Sequence, residues 1–265
     1  MSKVVLVTGG AQGIGRAICT RLVAGGWTVF GTSRQREGVT EGGYTLVRMD
    51  VTDEDSVRRA VEEVVARAGR LDAVVNNAGV GIMGAVEDIS PELAQRHFNV
   101  NVSGPHRVVR ASLPHLRAAG GGHVVMISSL AANFGLPFRG FYSAGKAALE
   151  RMSEALALEV RPFGIEVVVV EPGDVRTSIA EGRAMPGSIS AHYQARYDAT
   201  LAQADRSVAK ARGPEAVAAL VERILNDPRP APLHIAAKGI PRWSVWIKQL
   251  LPGRIFQRLL AKEQG

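Results

Sequence analysis

Cysteine is nearly absent: Cys19 is the one cysteine in 265 residues, so no intrachain disulfide can form. Such a chain suits a reducing compartment. Cys19 falls on an apolar helix face, where inert core rather than nucleophile is the expectation. Long hydrophobic runs are also missing. Nothing approaches the roughly 18 apolar residues that a membrane span needs. The first apolar run, Val4 to Val7, is too short for a signal-peptide core and leads straight into a glycine turn. A cytoplasmic protein is therefore expected. No internal repeat occurs, and the 29 glycines gather at strand-to-helix junctions without period, which excludes collagen-like and low-complexity architectures. The net charge of +7 raises nucleic acid or anionic membrane as partners. No basic block interleaves with aromatics, however, so the scattered arginines read as a solvated surface and no nucleic-acid partner is expected. An anionic cofactor would account for part of the excess.

What is present alternates regularly. A chain of this length buries roughly three quarters of its unfolded surface. Lys3 to Thr8 is a β-branched run ending in glycines, a buried strand. Thr8-Gly9-Gly10-Ala11-Gln12-Gly13-Ile14-Gly15 follows, and then the helical spacing of Ala17, Ile18, Leu22 and Val23. A strand, a glycine turn and a helix make an anion site, because N–H groups at the helix start point outward and glycine lets a pyrophosphate approach the backbone. Thr28 to Ser33, Tyr44 to Met49, Leu71 to Val75, His123 to Ile127 and Ile165 to Val170 read as further strands, and Leu233 to Ala236 as a candidate last one. Helical patterns cover Asp53 to Arg67 (Thr52 or Asp53 as cap), Pro91 to Asn99, Val102 to Ala118, Tyr142 to Arg161 and Pro214 to Leu225. Strand and helix in alternation call for parallel strands with right-handed crossovers, an α/β doubly wound sheet. Such sheets bind ligands at the carboxyl ends of their strands. Gly9, Ser33, Asp50, Asn77, Ser129 and Pro172 all lie at such ends.

At the end of the second strand an acid, about 20 residues past the glycines, would accept from the ribose 2′-hydroxyl of NAD. Here Ser33 and Arg34 stand instead, with no acid until Glu37. Guanidinium pairs with a 2′-phosphate, which favours NADP(H). Tyr142 and Lys146 lie four residues apart, so on a helix they share a face, about 40° apart around the axis and about 6 Å along it. An ammonium beside a phenol lowers the phenol pKa and makes Tyr142 a candidate general acid/base. Residues 174–212 break the alternation in a polar stretch with Met185, Tyr193 and Tyr197, and long excursions of this kind are usually functional lids. The tail, residues 241–265, carries Trp243, Trp246, Ile247, Leu250, Leu251, Ile255, Phe256, Leu259 and Leu260 punctuated by Lys248, Arg254, Arg258 and Lys262, with Pro252-Gly253 dividing it. A helix packed over the substrate mouth or a partner subunit fits this pattern, and so does an interfacial helix on anionic lipid.

Together TGGAQGIG, DVTD, NNAG, FNVNVSG, ISS, YSAGK and PGDVRT resemble the short-chain dehydrogenase/reductase family in order and spacing, over roughly residues 3 to 180. The resemblance implies a single Rossmann domain (residues 1–240) and a likeness to homo-oligomers, dimers or tetramers. It implies Tyr142 as proton donor, Lys146 on the nicotinamide ribose holding the phenol pKa down, and Ser129 on the substrate carbonyl. Ser128 is the adjacent alternative, though the thirteen-residue spacing to Tyr142 favours Ser129. Asn101 would complete a proton relay through an ordered water. Gly9, Gln12, Gly13, Ile14 and Gly15 would surround the pyrophosphate, Asp50 and Val51 the adenine, and Asn77, with Ala78 and Gly79, the adenine-side ribose. Pro172, Gly173, Val175 and Thr177 would meet the nicotinamide end. No metal is implied. Leu130, Phe134, Leu136 and Met185, with Ile82, Met83, Phe138 and Phe141, make the neighbourhood apolar. The expected activity is an NADPH-dependent carbonyl reductase, reversible as an alcohol dehydrogenase, acting on a steroid, retinoid, long-chain or polycyclic ketone. A nucleotide-sugar epimerase or dehydratase and an NADPH-binding redox sensor without turnover are the alternatives.

Overall fold

The structure, a computed structural model, describes residues 2–177, 182–237, 248 and 251–264, with side chains in the last helix through 259. The first strand, β1 (Val4–Val7), is buried on both faces, as a near-continuous aliphatic run in a parallel sheet must be. Val4 and Leu6 face one core while Val5 and Val7 face the other, the period of two that a strand imposes. Around β1 the chain lays out β2 (Thr28–Ser33), β3 (Gly38–Val39), β4 (Thr45–Arg48), β5 (Ala73–Asn76), β6 (Gly122–Ile127), β7 (Ile165–Pro172) and β8 (Leu233–Ala236). Their order across the sheet is β3-β4-β2-β1-β5-β6-β7-β8, parallel throughout except for β3. The chain moves outward from β1 to β2 and β4, then returns past β1 to β5. The strand order reverses between β1 and β5, and such a switch point opens a crevice at the carboxyl ends of the strands.

Helices cover both faces. On one lie α1 (Gly13–Ala24) and, late in the chain, Glu215–Asn226. Ile18, Cys19 and Leu22 meet Val221, Ile224 and Leu225 there over Val5, Val7, Val125 and Val168. Cys19 is fully buried, and burial pushes its thiol well above the ordinary range. It is core, as expected. On the other face α2 (Glu54–Ala68), α3 (Pro91–Phe98), α4 (Gly104–Ala118) and α5 (Gly140–Val160) follow in chain order. Three of these, α2, α4 and α5, contribute Val61, Val64, Leu116, Leu149 and Leu156 to the core over Leu6, Val124 and Met126. The termini of α2 obey local rules. Asp53, not Thr52, is its cap, accepting from the N–H groups of Asp55 and Ser56, and Gly69 ends it in the left-handed region at φ 77°.

Three features depart from the expected pattern. The two-residue β3 pairs antiparallel with β4 and is exposed, so no apolar alternation marks it. Between α3 and α4 the residues Asn99–Ser103 form a single π-helical turn rather than a loop. The excursion at residues 174–212 contains a helix, α6 (Gln194–Lys210), that buries only Tyr197 and Thr200. Its apolar stripe is too thin to stand out by periodicity. The helix Glu215–Asn226 is α7, and the tail contributes α8 (Gly253–Gln264). Trp243, Trp246, Ile247 and Leu250, the first half of the expected amphipathic tail, lie outside the described residues. Among the described residues no helix is long and apolar enough to cross a membrane.

Because Leu6 is fully buried at the centre of the sheet, Leu6→Ala is expected to lower the unfolding free energy by about 3 kcal/mol through lost burial and a residual cavity. Urea titration followed by circular dichroism measures it.

Candidate active site

The glycine turn is held from two sides. Thr8 Oγ1 accepts from the backbone N–H groups of Asn77 and Ala78, both at 2.9 Å. In return the Asn77 side-chain amide donates to the carbonyls of Thr8 (2.9 Å) and Gly9 (3.4 Å). The tip of β5 is thereby tied to the tip of β1. A β-carbon on Gly15 would collide with the Gly9 carbonyl oxygen and lie 2.6 Å from Asn77 Nδ2, so only glycine fits there. Gly13 sits at φ +53°, against the side chain of Thr177. Gln12 caps α1 without a side-chain hydrogen bond, and the first turn holds no acid. The N–H groups that begin α1, from Gly13, Ile14 and Gly15, therefore face outward beside a backbone stripped of side chains. These residues fit a dinucleotide pyrophosphate. Tyr44, which the sequence did not single out, braces the turn by donating its hydroxyl to Gly10 O at 2.9 Å.

Beside the turn, Ser33 Oγ accepts from the N–H groups of Gln35 and Arg36, folding the chain after β2, and Arg34 is exposed. Asp50 Oδ1 accepts from Thr52 N (2.9 Å) and Thr52 Oγ1 (2.7 Å). Burial works to raise the Asp50 carboxyl, but those bonds and the guanidinium groups of Arg34 and Arg107 outweigh it and hold the group below its ordinary range. Val51 is buried, and its carbonyl accepts from Arg107 at 3.1 Å. Gly79 packs on the Asn101 carboxamide, where a β-carbon would lie 2.8 Å from Oδ1.

The Tyr142 pair is more enclosed than an exposed YxxxK would be. Tyr142 lies in the first turn of α5, half-buried against Ile82, Ile89 and Ala94. Burial raises its hydroxyl above the usual phenol range; a hydrogen bond with Ser129 and the charge of Arg139 act in the lowering direction, and Asp174 adds to the rise. Lys146 is not among the charges that act on the Tyr142 hydroxyl, so the lowering expected from it is absent. Lys146 is buried and donates Nζ to Ile127 O at 2.8 Å. Desolvation brings its ammonium down to about 8, and the charge of Glu150 works the other way. Of the two adjacent serines, Ser129 reaches Tyr142, whereas the Ser128 hydroxyl donates to Glu150.

Asn101 is held by the π-helical turn. Its Nδ2 donates to Val80 O and His97 O, each at 3.0 Å, and its Oδ1 accepts from Val80 N at 3.2 Å. One-turn π segments recur where a side chain has to be aimed out of helical register. His97, unremarked in the sequence, lies beneath the pair. Its ring centroid is 6.2 Å from that of Tyr142, and a β-carbon on Gly145 would meet Nε2 at 2.8 Å. Burial and the Lys146 charge bring His97 down to about 4, so the imidazole stays neutral. A lone histidine inside an amphipathic helix gives no signal for this position.

Pro172 ends β7, Gly173 follows it, and Leu130 closes against Gly173. Val175 joins the core below. Phe134 is half-buried and meets Phe256 of α8 at 5.7 Å between ring centroids, while Lys248 donates to the Asn133 carbonyl. The described part of the tail thus covers the segment that follows Ser129. Leu136 is half-buried in the same stretch. Ile82, Met83 and Phe138, expected in the apolar neighbourhood of the site, are almost wholly buried. They anchor the excursion at residues 174–212: Ile82 bridges Ala184, and Phe138 stacks edge-on against Tyr193 and Tyr197. Met185 is half-exposed, accepts from Tyr197 Oη, and borders a cavity of about 270 Å³ with Asp88, Glu92, Arg96 and Pro186. Among the described residues no cluster of His, Cys, Asp or Glu is arranged to hold a metal ion.

A strand-tip glycine turn facing a Ser–Tyr–Lys cluster defines a dehydrogenase of one class, and the short chain dehydrogenase family matches residues 3–185. The chain belongs to the short-chain dehydrogenase/reductase family of oxidoreductases. It is 41% identical over 181 residues to a 3-ketodihydrosphingosine reductase of Bacteroides thetaiotaomicron, covering 68% of this chain and 67% of that one. It is 32% identical over 265 residues to the uncharacterized oxidoreductase YbbO of Escherichia coli, covering 98% and 94%. A crystal structure of a short-chain dehydrogenase from Streptomyces avermitilis superposes with a TM-score of 0.84 at 33% identity, covering 100% of this chain and 97% of that one.

Gly15→Ala is expected to force the turn open and weaken dinucleotide binding by about tenfold or more, the equivalent of about 1.4 kcal/mol. Fluorescence titration with reduced nicotinamide dinucleotides, alongside a thermal melt, measures this.

Proposed function

We propose that the protein is an NADP(H)-dependent carbonyl reductase, reversible as an alcohol dehydrogenase, for an apolar ketone of the long-chain kind. The carrying observation is Ser129 acting by a hydrogen bond on a half-buried, protonated Tyr142 one helical turn from the Lys146 ammonium. The bound dinucleotide supplies the hydride. Tyr142 and Ser129 point two O–H groups at the position of the substrate oxygen, and they stabilise the negative charge that grows there. The raised phenol keeps its proton at neutral pH, so the resting site is set to donate, the direction a ketone reduction needs. Lys146 and Asn101 are proposed to hold the nicotinamide ribose and carry protons onward.

Cofactor choice rests on charge. Arg34 acts on Asp50, and Arg16 and Arg36 act on Tyr44, whose hydroxyl braces the glycine turn. Three guanidinium groups around the adenosine end suit a 2′-phosphate. Apolar substrate is supported by Phe134 and Leu136, half-buried in the segment that follows Ser129, and by the Phe256 ring closed over Phe134. Packing over this mouth is the role proposed for α8, and closure over the substrate that for residues 174–212. The name of the Bacteroides relative, a ketone reductase, agrees in reaction type.

Tyr142→Phe is expected to cut NADPH-dependent reduction of a long-chain ketone by about a hundredfold or more, because it removes the general acid. Unchanged turnover in that variant would sink the mechanism. Arg34→Ala should weaken NADPH by about tenfold and leave NADH nearly unaffected; equal affinities of the unaltered protein for the two dinucleotides would defeat the NADP(H) assignment.

A further inference from the structure

Behind the Ser–Tyr–Lys cluster lies a second cluster that the proposed reaction does not use. Glu150 follows Lys146 by one turn of α5, and Glu171 is the penultimate residue of β7; both are almost wholly buried. Ser128 donates to Glu150 Oε1 at 2.5 Å, and Asn133 Nδ2 donates to Glu171 Oε1 at 3.0 Å. Ser128 also donates its backbone N–H to the carbonyl of Val170, the residue before Glu171, at 2.8 Å, so both glutamates gather at the tip of β6, where their carboxyl groups act on each other. Glu171 Oε2 is buried, and no N–H or O–H donor of a described residue reaches it. Two adjacent buried carboxylates cannot both ionise at ordinary cost. A proton held between them removes the repulsion and gives that orphaned oxygen its donor.

The cation next door has the complementary need. Lys146 is buried, and a buried ammonium requires an opposite charge. Glu150 is the carboxylate that acts on it. Other charged groups facing the cluster are Arg151 on α5, whose guanidinium is exposed and paired with Glu154, the neutral His97 from α3, and Lys248 at the Asn133 carbonyl. None of these supplies negative charge to Lys146.

We propose that Glu150 and Glu171 share a single proton, and that the share of negative charge this leaves on Glu150, one helical turn from Lys146, is the counter-ion that keeps Lys146 an ammonium. Both are positioning residues that act through Lys146. The shared proton stands on the cluster alone, while its effect on turnover rests on the reductase reading above. Below about 8 the Lys146 ammonium is present and above it the group is neutral, so loss of the counter-ion moves that boundary to lower pH. The amide introduced by Glu150→Gln keeps the Ser128 bond and donates to Glu171, but carries no charge. Glu171→Gln relieves Glu150 of its competitor and leaves it fully ionised.

Two measurements test this on the full chain, with thermal melts to verify folding. Infrared spectroscopy just below neutral pH should show the carbonyl stretch of a protonated buried carboxyl, lost in Glu150→Gln and in Glu171→Gln alike. Absence of that band from the unaltered protein overturns the shared proton. The alkaline limb, read both from NADPH affinity and from ketone reduction, should move down by about one pH unit in Glu150→Gln. It should not move down in Glu171→Gln, and Glu150→Asp should restore it. An unmoved limb in Glu150→Gln, or equal downward shifts in both glutamine variants, overturns the counter-ion role. A protein that binds NADPH with these limbs yet reduces no ketone would fail the reductase reading while upholding the pair.

Discussion

A lysine ammonium with almost no access to water has to be compensated from within the protein, and much of the active-site architecture follows from that requirement at Lys146. Its Nζ is held on the Ile127 carbonyl at the tip of β6, and the carboxyl of Glu150 lies one turn further along α5. These contacts fix where α5 crosses the sheet. The crossing in turn puts Tyr142 beside Ser129 and its ring over His97. A charged buried group therefore works as a registration device between one helix and two strands, with hydrophobic packing through Leu149 and Leu156 supplying the general attraction.

The other half of the site depends on a small polar knot. Thr8 and Gly9 exchange four hydrogen bonds with Asn77 and Ala78 across the gap between β1 and β5, where the strand order reverses. That gap is the switch-point crevice, and closing it with backbone-directed bonds leaves the glycine turn rigid and bare. Asn77, expected on the ribose, thus has its side-chain amide committed to the turn itself. The carboxyl ends of β1, β5, β6 and β7 then frame one surface, with the glycine turn at one side and the Ser–Tyr–Lys cluster at the other.

Much of this was legible beforehand. Aliphatic runs named the parallel strands, glycine spacing named the turn, and YSAGK with ISS named the cluster, because each rests on local geometry that a few consecutive residues determine. What escaped were residues that matter only through distant neighbours. Tyr44 braces Gly10 from 34 residues away, and Arg107 holds Val51 from 56. His97 and Glu171 carry no pattern of their own. The helix α6 escaped because only Tyr197 and Thr200 of its seventeen residues are buried. That Ile82, Met83 and Phe138 fill the interior rather than line a void was not legible, because apolarity near a site does not distinguish the two.

The sequence by itself determined the layered α/β architecture, the family and the candidate groups Ser129, Tyr142 and Lys146, since these follow from short-range periodicity and from motifs whose chemistry is contained in a few residues. Only the tertiary structure decided the state of those groups. Tyr142 is raised rather than lowered, Lys146 sits near neutrality, and Glu150 and Glu171 are forced to face each other. The reason is dielectric: the proton affinity of a side chain depends on how much water it has lost and which charges share its enclosure, and neither is written in the order of residues along the chain.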